Sequence, residues 1–292
     1  MRKQTNKLQV QKMLPSDSLL TKATTTTASS SSNDEKNKSA NAAAATAAAK
    51  EEEKKQLIWG PQTRTSIKKQ LNPQQLDQEN TEFIPCLYLP CEDGGNKVVL
   101  YFHGNAEDIG LAFDLLYMFG AEMQMHVLAV EYPGYGLYKT SKPDEEKMKE
   151  DADTVYDYLT QVAGVKESDV ILFGRSMGSG PCSYLASRKD CHSLLLMSPY
   201  MSIRDAAKSL LGWASFLTVI VYERFRNIDL IAEAKCPVFF LHGQKDTLIP
   251  HQHSIELNRV CPRESYLHLP PEMDHNEFQL IEDLVMPFKQ FI

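Results

Sequence analysis

Six short apolar runs, set apart by stretches patterned for helix, constrain this chain more than any other feature. They are Lys97–Phe102 (KVVLYF), His126–Tyr132 (HVLAVEY), Asp169–Phe173 (DVILF), Ser193–Met197 (SLLLM), Pro237–Leu241 (PVFFL) and Ser265–Leu269 (SYLHL). Most are continuously apolar rather than alternating, the pattern of parallel strands buried on both faces. Between two of them, Asp144 to Thr160 carries Met148, Ala152, Val155, Tyr156 and Leu159, an i, i+3, i+4 stripe that predicts an amphipathic helix. Strands alternating with helices require crossover connections. The expected class is therefore α/β: a mostly parallel, doubly wound sheet with helices on both faces. Ligands in such sheets bind beyond the carboxyl ends of the strands, so the residues that follow each run hold the functional information.

After DVILF comes Gly174-Arg175-Ser176-Met177-Gly178-Ser179-Gly180. G-x-S-x-G between a strand and a predicted helix (Gly178–Ser187) is the context of a nucleophilic serine. The serine must sit on a tight, strained turn, where side chains two residues to either side would collide. Such a turn lifts the hydroxyl to the edge of the sheet, and the helix N-terminus behind it favours developing negative charge. As a dinucleotide fingerprint the segment fails, because Arg175-Ser176 separates the first glycine pair. As a phosphate loop it lacks Gly-Lys-Ser/Thr.

A serine hydroxyl needs a base. Of eight histidines, His126 and His268 lie within apolar runs, as core histidines do, and His192, His251 and His253 fall at surface or helix positions. His242 ends a strand inside LHG. His103 follows VVLYF and opens HGNAED, which looks like an oxyanion segment. His275, in PEMDHNEF, follows the last run and opens the final predicted helix, which makes it the expected base. Its orienting acid is expected to be Asp246 in LHGQKDTLIP, past PVFFL. Asp205 is the weaker alternative, and Asp274 reads as a cap or surface charge because adjacent side chains do not readily bond one another. The order Ser176…Asp246…His275 is that of α/β hydrolases. An oxyanion hole would take the backbone N–H of Met177 and one from Asn105 or Ala106, between which the sequence does not choose. His251-x-His253 is an isolated pair and Cys86/Cys91 has no matching second pair, so neither metal nor cofactor is expected.

Charge narrows the partners. Lys and Arg number 31 against 38 Asp and Glu, a net charge of −7, which argues against nucleic acid. Residues 1–55 hold ten Lys/Arg and six Asp/Glu, leaving −11 for residues 56–292. Residues 21–50 are a run of Thr, Ser and Asn followed by alanines, too polar and too repetitive to offset chain entropy by burial. The alanines and the following EEEKK could form a helix of low cooperativity. Residues 1–56 are thus expected to form a disordered tail, and 57–292, from Leu57-Ile58-Trp59, the folded domain. Leu210–Tyr222 (LLGWASFLTVIVY) is too short to span a bilayer. It lies within 200–236, the place for a lid, and reads either as a core helix or as an apolar wall for an acyl chain. The six cysteines include no CxxC pair and none before Cys86, and the opening MRKQTNKLQV lacks an apolar signal. Free thiols, a cytoplasmic setting and a monomer are expected.

HGNAEDIG, EYPGYG, GRSMGSGP, LHGQKDTLIP and DHNEF, spread over residues 98–280, resemble the Bem46-like branch of the α/β-hydrolase superfamily. Within it the chain is similar to the α/β-hydrolase domain-containing protein 17 group, serine hydrolases that remove palmitate from protein cysteines. The resemblance implies the α/β-hydrolase fold, with Ser176 as nucleophile, Asp246 as acid and His275 as base. It also implies an acylated protein or small ester as substrate, with peripheral membrane contact. That group carries a palmitoylated N-terminal cysteine cluster, and the corresponding region here has no cysteine. The leading activity is a palmitoyl-protein thioesterase. A carboxylesterase stands second and a peptidase third, with a non-catalytic scaffold as the reading from another class.

Overall fold

The computed structural model describes residues 7–12, 83–91, 95–138, 142–211 and 224–292. By its contacts the chain divides into two units, Lys12–Glu79 and the remainder, and the sheet from its second strand onward lies in the remainder. The strands are β1 (Lys7–Lys12), β2 (Phe83–Leu89), β3 (Val98–Phe102), β4 (His126–Val130), β5 (Val170–Arg175), β6 (Ser193–Met197), β7 (Val238–Leu241) and β8 (Ser265–His268). They form one sheet in the order β1-β2-β4-β3-β5-β6-β7-β8. β2 runs antiparallel to β4, with Cys86 opposite Val130. From β4 to β8 every pairing is parallel, so these strands all end at one edge.

The six apolar runs are β3 to β8. Their continuous hydrophobicity follows from burial on two sides. Val99, Tyr101, Ile171, Phe173, Leu195 and Phe239 point to one face and join a core with Leu116 and Phe119 of α1 (Phe113–Met123) and Phe288 of α7 (Met286–Phe291). The alternate residues Leu100, Leu172, Leu196 and Phe240 are equally buried on the other face. There α3 (Ser179–Arg188) packs on β5 and β6, beside α2 (Glu145–Asp157). The stripe expected of α2 is the one observed: Met148, Ala152, Val155 and Tyr156 are buried, with Leu159 in the π-helical turn that follows. Its N-cap is Asp144, whose carboxylate accepts the Lys147 N–H at 3.0 Å, and Glu145 and Glu146 in the first turn complement the helix dipole. Removing a ring such as Phe239 from this core would cost about 3–5 kcal/mol.

Two strands lie outside the six runs, and one expectation, the place of His275, needs correction. Lys7–Lys12 (KLQVQK), with two apolar residues among polar ones, forms edge strand β1. Phe83–Leu89 (FIPCLYL), which contains Pro85, lies outside the six runs. As β2 it still contributes its Pro85 carbonyl, which accepts the Glu131 N–H at 3.0 Å. His275 does not open the final helix, which begins with a π-helical turn at Leu280–Val285; it sits in the loop before it. The rest of the 1–56 tail, including the alanine-EEEKK helix, the domain start at Leu57-Ile58-Trp59 and residues 212–222 of the apolar stretch lie outside the described residues. Of segment 200–236, α4 (Ile203–Leu211) and α5 (Asn227–Ile231) are described. Among the described residues no helix is long and apolar enough to cross a membrane.

Candidate active site

The parallel edge gathers five loops that are far apart in sequence. β5 runs through Gly174 and Arg175 into a tight 3-10 turn, Ser176–Gly178, from which α3 starts. Ser176 has φ +50°, a left-handed backbone that costs a non-glycine residue strain. The flanking glycines are required by space. A Cβ on Gly174 would lie 2.5 Å from the Gly178 carbonyl oxygen, and one on Gly178 would lie 2.0 Å from that of Phe102. With Phe102 paired to Gly174 across β3 and β5, the turn is pressed against the end of β3.

Ser176, His275 and Asp246 meet in one hydrogen-bonded row. His275 Nδ1 is 2.7 Å from Asp246 Oδ2, and His275 Nε2 is 3.1 Å from Ser176 Oγ. With Nδ1–H donated to the carboxylate, the Nε2 lone pair is left for the serine hydroxyl. All three residues are under 10% exposed, at 8%, 5% and 6%, so the row is shielded from solvent. Asp246 Oδ1 accepts the N–H groups of Leu248 and Ile249 at 2.9 and 2.7 Å. Its Oδ2 also lies 3.3 Å from His242 Nε2. Burial opposes ionisation of Asp246, but hydrogen bonds from His242, His275 and the Ile249 N–H outweigh it and hold the carboxyl well below its ordinary range. The alternative acid, Asp205, instead accepts a hydrogen bond from Ser202 Oγ at 2.9 Å on α4. Asp274 caps its own loop, accepting the His275 N–H.

The expected oxyanion segments stand side by side. Asn105 and Ala106 form an exposed turn directly after β3, with Ala106 at φ +61°. Tyr135, from the loop after β4, donates its O–H to Asn105 Oδ1 at 2.7 Å and lies 3.9 Å from Met177 Sδ. The Met177 carbonyl accepts the Tyr200 O–H at 3.3 Å. Two neighbouring side chains tie these loops to one another. His103, fully buried, points away from Ser176: its Nε2 faces Glu131 Oε1 at 2.9 Å and its Nδ1 the Gly104 carbonyl at 2.8 Å. Arg175, the residue before the serine, bonds Glu107 and Asn276 on two separate loops. Among the described residues no three His, Cys, Asp or Glu side chains are grouped to hold a metal.

The strand order, with the site at its carboxyl edge, is that of the α/β-hydrolase fold. Residues 95–228 match the family model described as serine aminopeptidase, S33. The chain is similar to α/β hydrolase domain-containing protein 17. The protein 17C of Xenopus laevis is 29% identical over 214 residues, covering 73% of this chain and 67% of that one. Human protein 17C is 29% identical over 207 residues, covering 71% and 61%. The α/β hydrolase domain-containing protein aho-3 of Caenorhabditis elegans is 31% identical over 209 residues, covering 72% and 61%. The chain thus aligns with about two thirds of these relatives' length. Among solved structures, Est1E from Butyrivibrio proteoclasticus with ferulic acid superposes with a TM-score of 0.59 at 18% identity, over 71% of this chain and 93% of that one. This likeness speaks for the fold. Together the family match and the relatives support a serine hydrolase.

Proposed function

We propose that this chain is a serine acyl hydrolase that cleaves thioesters or esters, and that its substrate is a palmitoylated protein cysteine. The single observation that carries the reaction type is the Ser176–His275–Asp246 hydrogen-bonded row on a strained strand-to-helix turn. In this reading His275 Nε2 takes the Ser176 proton as Oγ attacks the acyl carbonyl. The oxyanion is held by the Met177 N–H and one from Asn105 or Ala106. Protonated His275, stabilised by the Asp246 carboxylate, returns the proton to the departing thiol or alcohol. Water, deprotonated by the same nitrogen, then attacks the acyl-serine and releases the acid. The thioester specificity rests on the resemblance to the protein 17 group, as do a lipidated protein partner and peripheral contact with a membrane.

The test compares wild type with Ser176→Ala on a palmitoyl-cysteine peptide and a short-chain nitrophenyl ester. Serine-dependent turnover of the thioester with little on the short ester is the expected result. Turnover of the short ester alone would make the chain a carboxylesterase. Turnover of neither, with Ser176 unlabelled by a fluorophosphonate in folded protein, would leave a non-catalytic scaffold.

A further inference from the structure

We infer that Arg175 is a positioning residue: it ties the oxyanion turn to the histidine loop so that both are presented to Ser176 together. The inference rests on the hydrolase reading above. Its guanidinium reaches in two directions. Nη1 donates to Glu107 Oε2 at 2.9 Å, and the other oxygen of that carboxylate accepts the Gly104 N–H at 2.6 Å. Nη2 donates to Asn276 Oδ1 at 2.8 Å and to the carbonyl of His275 itself at 3.3 Å. One side chain thus spans the turn that leads into Asn105-Ala106 and the backbone of the expected base, from a position immediately before the nucleophile.

Three physical points favour a positioning role over a surface ion pair. The pair is largely shielded, with side-chain exposures of 12% for Arg175 and 17% for Glu107, so solvent screens it less than an exposed pair. The planar fork is needed, because two loops are held by two different nitrogens; a lysine ammonium offers one point and cannot reproduce the span. The fit is close, since a Cβ on Gly104 would already stand 3.0 Å from Glu107 Oε1 and 3.5 Å from Arg175 Nη1. A bridge of this kind aligns groups that act in the transition state and touches no substrate. Its loss therefore acts on kcat rather than on KM.

The experiment uses the full chain, with Arg175→Met, Arg175→Lys, Glu107→Gln and the Met/Gln double variant. Readouts are hydrolysis kinetics of a palmitoyl-cysteine peptide, affinity for an alkyl boronic acid that forms a tetrahedral adduct on Ser176, and the rate and endpoint of fluorophosphonate labelling. We expect Arg175→Met to lower kcat by about 10- to 100-fold with KM within about twofold, since small misplacements cost that much. Boronic acid affinity should fall by a similar factor while the labelling endpoint stays complete. Lysine should restore little, and the double variant should lose no more than Arg175→Met alone. Wild-type kcat in Arg175→Met overturns the inference, as does a loss confined to the labelling endpoint, which marks unfolding. If Arg175→Met does not fold, Glu107→Gln alone decides by the same readouts. Wild-type protein left unlabelled by the fluorophosphonate removes the hydrolase reading itself, an outcome separate from equal labelling rates in wild type and variant.

Discussion

Two histidine–carboxylate pairs are buried at the same edge of the sheet, and they differ in what the second ring nitrogen faces. In His275–Asp246 the free nitrogen meets the Ser176 hydroxyl. In His103–Glu131 it meets a backbone carbonyl, that of Gly104. Both nitrogens of His103 thus face oxygen acceptors, and neither is available to take a proton from a nucleophile. The Tyr132 N–H also bonds Glu131 Oε1 at 3.2 Å, and the Tyr132 O–H bonds the His103 carbonyl at 2.8 Å. The first pair presents its free nitrogen to a hydroxyl, and the second ties the ends of β3 and β4 together. Residue types alone do not distinguish them; the partner of the remaining nitrogen does.

The largest expected contrast is in turnover. His275→Gln or Ser176→Ala should lower kcat/KM by about 10⁴-fold or more without lowering the thermal midpoint. A His275→Gln enzyme of near-normal rate would break the comparison. Next, His103→Gln should cost roughly 1–3 kcal/mol of stability, because it disrupts buried hydrogen bonds to Glu131 and Gly104, while folded protein keeps turnover within about tenfold. Denaturant unfolding with and without active-site titration separates the two effects. A stable but inactive His103→Gln chain would assign both pairs the same role.

Acid titration sharpens the contrast further. Because the Asp246 carboxyl is held below its ordinary value of 3.8 in the fold, the unfolded chain takes up that proton first as pH falls. The stability it contributes is present above about pH 4 and declines below it. Asp246→Asn should flatten that acid limb of the unfolding free energy. The smallest effect concerns a histidine outside both pairs. His126 Nδ1 accepts the Cys91 N–H at 2.9 Å, and burial holds its pKa below 6.5. The unfolded ring protonates first, so stability falls as pH drops below about 6.5. His126→Gln should reduce that fall between about pH 7.5 and 5.5, read from chemical unfolding.

The sheet was largely legible in the sequence because parallel strands buried on both faces are continuously apolar, and Val98–Phe102 and Val170–Phe173 show this without interruption. The antiparallel edge was not: Pro85 interrupts β2, and β1 has almost no apolar residues. Ser176, Asp246 and His275 stood out by position, each a few residues beyond a strand. The Arg175–Glu107–Asn276 bridge did not, since its members lie 68 and 101 positions apart and single charged residues leave no periodic trace. The loop position of His275 was likewise hidden, as its backbone is tied by Arg175 and by the Asp274 N–H to Glu277 carbonyl bond rather than by local propensity.

The left-handed backbone at Ser176 bears on how such a chain ages in evolution. The residue that suits φ +50° best is glycine, so a Ser176→Gly change relieves strain and ends chemistry in one step. At this position, drift toward robustness and drift toward inactivity point the same way. A lineage released from selection for turnover would accumulate silent, sturdier copies here first. On the proposed mechanism, serine at the sharpest point of the turn carries a strain that only turnover offsets.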